Sequence, residues 1–149
     1  MTKYDTIVIG SGPGGEGAAM KAVKAGKSVA VCDLFSNIGG SCTHRGTIPS
    51  KALRHATQIL ESKDEFQSVN YQDLLSGAES VIRSQLKLRL GLYKRNWFDI
   101  IEGYARFKEA NTIEVELTNG VKKKYSADYF VISTASRQYR PQDFDFSHT

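Results

Sequence analysis

Two short stretches of the sequence carry residue types and spacings with a chemical use. In the first, Gly10-Ser11-Gly12-Pro13-Gly14-Gly15 fits the pattern G-x-G-x-x-G, and Asp33 stands 18 residues beyond Gly15. Such a turn can hold a diphosphate. Gly10 permits the tight turn, Gly12 has no Cβ to keep a ligand off the backbone, and Gly15 lets a helix pack closely on a strand. Unpaired N–H groups at the positive end of that helix then face the phosphates. The Asp33 carboxylate is suited to accept hydrogen bonds from ribose hydroxyls. The ligand class is a dinucleotide, and the spacing by itself leaves NAD and FAD both open.

The second stretch, residues 39–55, reads GGSCTHRGTIPSKALRH. It offers one thiol, Cys42, and one helix-borne amine, Lys51. A redox disulfide needs two thiols. Five residues beyond Cys42 stands Thr47, whose hydroxyl forms neither a disulfide nor a thiolate. The other cysteine, Cys32, lies in a separate apolar run and reads as a small core residue. His44 and His55 could relay protons, but a lone histidine in a loop or helix is more often structural or solvated, and neither is assigned a catalytic role. No metal site is assigned.

These residues need elements to hold them. Tyr4–Ile9 is a short β-branched run ending at glycine, a buried strand. Residues 14–26, GGEGAAMKAVKAG, read as a helix that stops at Gly26. Ser28–Cys32 is a second strand leading to Asp33. Together they form a strand–helix–strand unit, with a ligand crevice expected at the carboxyl ends of the parallel strands. Residues 34–48 read as a glycine-rich loop. Pro49 fits the first turn of a helix running through SKALRHATQILES. Residues 63–72 read as a polar connection.

A long helix is expected over 73–95. Leu74, Ala78, Val81, Ile82, Leu86, Leu90 and Tyr93 fall mainly on one face. Arg83, Lys87, Arg89 and Lys94 are read as a solvated face. From Phe98 the pattern turns to strand in FDIIEGYARF, NTIEVELT and VKKKYSADYFVIST, and Asn119-Gly120 marks a two-residue hairpin. Lys122–Lys124 is read as a solvated strand end.

The run GGSCTHRGTIPSK resembles the active-site segment of the flavoprotein disulfide reductases, where two cysteines lie five positions apart beside a flavin. The likeness begins at Tyr4. It continues through EGYARF (102–107), similar to the family strand beside the adenosine, and reaches VISTASR (131–137), similar to the family's Ala-Thr-Gly segment. It implies an α/β fold: a Rossmann-like FAD-binding domain, with a parallel sheet, helices and a small antiparallel β-meander, incomplete at this length. It implies FAD as cofactor. Gly10, Gly12, Pro13, Gly14, Gly15, Asp33 and Leu34 would bind its ADP half. Gly40, Ser41 and Cys42 would lie along the pyrophosphate and ribityl chain. Tyr104, Ala105, Thr134, Ala135 and Ser136 would complete the cofactor site. Thr47 would face the isoalloxazine ring, and Lys51 would stand near flavin N5, where a positive charge stabilises reduced flavin.

Thr47 in place of the second cysteine implies that electrons stop at the flavin. The wording CTHxGTIPSKALRHA after SGPGGEGAAM closely resembles that of family members that move hydride between NADPH and NAD+ through FAD alone. The resemblance further implies NAD(H) and NADP(H) as substrates, a homo-oligomer, and NAD(P) and dimerisation domains beyond these 149 residues, which alone are expected to be inactive. Two departures stand out: Ala135 where the family has glycine, and Gln138 where it has proline. Three readings follow: the FAD-domain portion of such an enzyme, a dithiol-less flavin oxidoreductase with another acceptor, or a non-enzymatic module binding a nucleotide or a protein.

Composition narrows the classes. The chain is 40% hydrophobic and 24% charged, ordinary for a globular domain. A formal charge of +4, from 20 basic and 16 acidic residues spread along the chain, points to a solvated basic surface rather than nucleic-acid binding. Two cysteines make no disulfide framework and suit a reducing compartment. No run is long and apolar enough to span a bilayer, and the start MTKYDTIVIG lacks a signal-peptide pattern. The expectation is a cytoplasmic protein with no membrane partner.

Overall fold

The computed structural model describes residues 1–34, 38–62, 70–96, 98–136, 139–143 and 145. Among them the order is β1 (Thr2–Ile9), α1 (Pro13–Lys24), β2 (Val29–Asp33), α2 (Gly40–His44), α3 (Thr47–Ser62), α4 (Tyr71–Arg95), β3 (Asp99–Glu109), β4 (Thr112–Leu117) and β5 (Lys122–Ile132). Strands β3, β2, β1 and β5 lie parallel in that order. Strand β4 runs antiparallel between β3 and β5 and closes the sheet into a ring.

The length of β3 and β5 explains the closure. Each has 11 residues and changes partner part-way. Asp99–Glu102 pair with β2, and Gly103–Glu109 pair with β4. At the change stands Gly103, where a Cβ would meet Val115 Cγ1 at 2.7 Å. Residues 122–126 of β5 pair with β4, and residues from Tyr125 onward pair with β1.

Alternation along the strands builds two cores. Val8, Val29 and Val31 face α1 and α4 and pack with Ala19, Ile38, Tyr93 and Phe98. Ile7, Ala30 and Cys32 face the meander and pack with Tyr4, Ile101, Ile113, Val115 and Ala127. Tyr4 reaches the rim of this inner core, and its hydroxyl donates to Asp99 Oδ2 at 2.8 Å. The expected α/β fold, parallel sheet plus meander, is met.

Three expectations change. The region 34–48, expected as a loop, holds a short helix at Gly40–His44, and α3 already begins at Thr47; residues 35–37 lie outside the described set. The long helix starts at Tyr71, because the Asn70 side chain accepts from Asp73 N at 3.0 Å and caps it there. Of the connection expected over 63–72, residues 63–69 lie outside the described set. Finally, Arg89 is not on a solvated face. Its side chain is 15% exposed and ion-paired to Glu16 of α1. Arg83, by contrast, pairs with Glu79 at the surface.

Candidate dinucleotide-binding edge

Parallel pairing brings the carboxyl ends of β1, β2 and β5 to one edge of the sheet, and the backbone ties them there. Gly10 N donates to Cys32 O at 2.8 Å, and Ser133 N donates to Ile9 O at 2.8 Å. The two enclosed glycines of the first turn are boxed in by this edge. A Cβ on Gly10 (φ +104°) would overlap the Ser133 carbonyl, and one on Gly15 would overlap the Gly10 carbonyl. A Cβ on Gly14 would come 3.0 Å from Ser133 Oγ.

Gly12 differs. It is the N-cap of α1, no side chain caps the helix, and a Cβ there would meet nothing within 4 Å. Pro13 follows at the first helical position, where its missing N–H is not needed. The amino end of α1 is thus open in front, with backbone donors facing out.

Asp33 closes the side of this opening. Its Oδ2 accepts from Ser11 N at 2.7 Å and from the Ser11 hydroxyl at 2.5 Å. Ser11 is fully buried, and its Oγ also accepts from Gly39 N at 3.0 Å. One serine therefore joins the first glycine turn, the end of β2 and the second glycine pair. The fit is close: a Cβ on Gly40 would come 2.8 Å from Gly12 Cα. Leu34, beside Asp33, is about half exposed at the rim.

Helix α2 is fastened from within. Gly39 (φ +109°) caps it, and the buried Thr43 hydroxyl donates to Gly39 O at 3.0 Å. His44 Nε2 lies 3.0 Å from Ile38 O, a structural partner. Ser41 is exposed and Cys42 half-buried on this helix, while Thr47 and Lys51 are exposed on the first turns of α3. Four residues apart, Thr47 and Lys51 share one side of that helix. Cys32 is of a different kind. Burial, reinforced by the Asp33 charge, pushes its thiol up to about 12, so it stays protonated and inert.

On the flanks, Tyr104 is 45% exposed on β3 with the Arg106 guanidinium 4.6 Å above its ring, and Ala105 packs against the inner core. Ser133 to Ser136 follow β5, and Gly10 lies against Ser133 and Thr134. Ala135 adopts φ +58°, a left-handed conformation that favours glycine. Gln138 lies outside the described residues.

The structure therefore gathers Gly10, Gly12, Pro13, Gly14, Gly15, Asp33, Gly40 and Thr134 at one edge. Thr47 and Lys51 are carried on α3. Sequence reasoning missed Ser11, Glu16 and Arg89. Arg89 had a signal, since it lies four residues before Tyr93 and three after Leu86, both placed on the apolar face. Among the described residues no group of three or more His, Cys, Asp or Glu could hold a metal ion, and no helix is long and apolar enough to cross a membrane.

An open helix end, a glycine turn under three parallel strands and an acid closing its side define a dinucleotide-binding class of α/β domain. The chain belongs to the pyridine nucleotide-disulphide oxidoreductase family, whose model matches residues 4–146. It is 48% identical to the soluble pyridine nucleotide transhydrogenase of Erwinia tasmaniensis and 50% identical to that of Vibrio vulnificus. Each match takes in 97% of this chain and 33% of the relative, so the chain spans about one third of the length of those curated relatives. A solved structure of the HOCl-induced flavoprotein disulfide reductase of Escherichia coli, a cysteine-to-serine mutant in its Cu(II) complex, superposes with a TM-score of 0.82. That match is at 24% identity and covers 95% of this chain and 31% of the other.

Proposed function

We propose that this chain forms the ADP-binding part of an FAD site in a protein that moves hydride between NADPH and NAD+ without a redox disulfide. The observation that carries the reading is Gly12. It is the open place in an otherwise boxed turn, at the positive end of a helix without a side-chain cap. The residues present fit FAD. The first-turn N–H groups of α1 would hold the diphosphate, Asp33 would hold the ribose, and Gly40, Ser41 and Cys42 would line the path toward the ring. Bound FAD supplies a two-electron carrier between the two nicotinamides.

Each other role belongs to the chain's own side chains. Lys51 would place its positive charge by the reduced ring, and Thr47 would form a wall there without offering a thiol. Cys42 would pack and would not cycle, because its sequence partner is a threonine and Cys32 is buried in a strand. The parent protein's NAD(H) and NADP(H) substrates, its homo-oligomeric state, its further NAD(P) and dimerisation domains and a cytoplasmic location belong to the same reading. Support comes from the named relatives and the sequence.

The test uses the full-length protein. It is expected to release FAD in a one-to-one ratio on denaturation and to transfer hydride from NADPH to a thionicotinamide analogue of NAD+. Cys42→Ser should keep that rate within about tenfold, or roughly 1.4 kcal/mol. Protein free of FAD would sink the reading. FAD-loaded protein without transfer would shift it to a different acceptor, and loss of turnover in Cys42→Ser with FAD still bound would restore a thiol mechanism.

A further inference from the structure

An acid stands where the proposed ligand would least favour one. Glu16 is the acidic residue of the first turn of α1, and its N–H donates to Gly12 O at 2.9 Å. The helix end carries about half a positive charge, and a carboxylate carries a full negative one. Left alone, Glu16 would more than cancel the potential that attracts a diphosphate. Its side chain is only 21% exposed, so water does little to screen it.

The structure supplies the compensation from a distant part of the chain. The Arg89 guanidinium of α4 donates through Nη1 to Glu16 Oε2, and the Tyr93 hydroxyl lies 3.5 Å from the same oxygen. Tyr93 is fully buried and held against Phe98, with ring centroids 4.9 Å apart. Burial pushes its hydroxyl well above the ordinary tyrosine range, helped by the Glu16 charge, so it remains a donor. Arg89 Nε is buried without a hydrogen-bond partner among the described residues. The guanidinium's hydrogen-bonded ion pair among the described residues is the one to Glu16.

We infer that Arg89 is an electrostatic positioning residue for the diphosphate: by neutralising Glu16 it preserves the positive end of α1 at the open Gly12. The inference rests on the FAD reading above. It differs from a simple clamp between α1 and α4, which would make the same contact for packing alone.

The experiment measures FAD affinity of the full-length apoprotein by fluorescence titration at low and high NaCl. The proteins compared are wild type, Glu16→Gln, Arg89→Met and the double variant. Arg89→Met should weaken FAD by about tenfold at low salt and keep most of that deficit at high salt, because the Glu16 carboxylate it leaves unpaired is largely shielded from solvent ions. Glu16→Gln should bind FAD as tightly as wild type or more tightly, since it removes the unfavourable charge. The double variant should return to within about threefold of wild type.

Glu16→Gln keeps an acceptor for Arg89 and Tyr93, so it remains decisive if Arg89→Met fails to fold. Weakened FAD binding in Glu16→Gln, or a double variant no better than Arg89→Met, would overturn the inference in favour of a clamp. Unchanged affinity in every variant would overturn it too, leaving the FAD reading intact. A wild type that binds no FAD would overturn both.

Discussion

Neighbouring glycines in this chain do different work, and a methyl group separates them. Gly15→Ala places a Cβ against the Gly10 carbonyl. It should lower stability by about 1–3 kcal/mol, the usual cost of overpacking. Gly12→Ala meets nothing within 4 Å. It should fold with near-wild-type stability and lose much of its flavin affinity, because the methyl occupies the open place. Urea denaturation and FAD titration of both variants check the pair; equal stability losses would remove Gly12 from the proposed site. At Ala135 the opposite change is favourable. Ala135→Gly relieves the left-handed φ of +58° and should raise stability by about 1 kcal/mol, seen as a higher denaturation midpoint.

At the scale of elements, the fold turns on two strands that each serve two partners. Strand β3 leaves β2 for β4 at Gly103, where a side chain would press on Val115 and the Glu116 carbonyl. Gly103→Ala should therefore cost about 1–3 kcal/mol. Gly120→Ala, in the β4–β5 turn, has open space but a φ of +79°, so its cost is conformational and about 1 kcal/mol. Comparing the two by urea denaturation separates crowding at the strand switch from backbone strain at the turn. A Gly103→Ala variant as stable as wild type would show that the ring tolerates a bend elsewhere.

The molecule as a whole has an alkaline weakness set by its inner core. Cys32 is 1% exposed, and its thiol is pushed up to about 12 by burial. An unfolded cysteine ionises near about 8.5. Below that pH the thiol is protonated in both states, and its contribution to stability is complete. Above it, the unfolded chain loses the proton while the folded chain keeps it. Stability then falls by up to roughly 1.4 kcal/mol per pH unit until the folded thiol titrates. Tyr4 and Tyr93, also raised by burial, add to the loss from about pH 10 upward. Urea denaturation at pH 7, 9 and 10 should show the decline beginning near pH 8.5, and Cys32→Ala should delay its onset to the tyrosine range. A wild-type curve flat through pH 10 would contradict the assignment.

Much of this architecture was legible one residue at a time. The short β-branched apolar runs YDTIVI and SVAVC, the Asn119-Gly120 hairpin and the glycine spacing are local signals, because a buried strand, a turn and a tight backbone approach each depend on a few adjacent residues. Those signals determined the strands, the long helices and the place of the dinucleotide turn. The short α2 was hidden, because two left-handed glycines, Gly39 and Gly40, look like loop residues until Thr43 caps back onto Gly39. Ser11 gained its role only when β2 and α2 brought Asp33 and Gly39 to the same hydroxyl. Arg89 looked like one more solvated base on a charged helix. Only the packing of α4 on α1 buried it against Glu16, 73 residues away. The spacing of Arg89 from Leu86 and Tyr93 set it beside the apolar face, but which charge it would meet there, across such a distance, leaves no periodic trace in sequence, and the tertiary structure alone decided it.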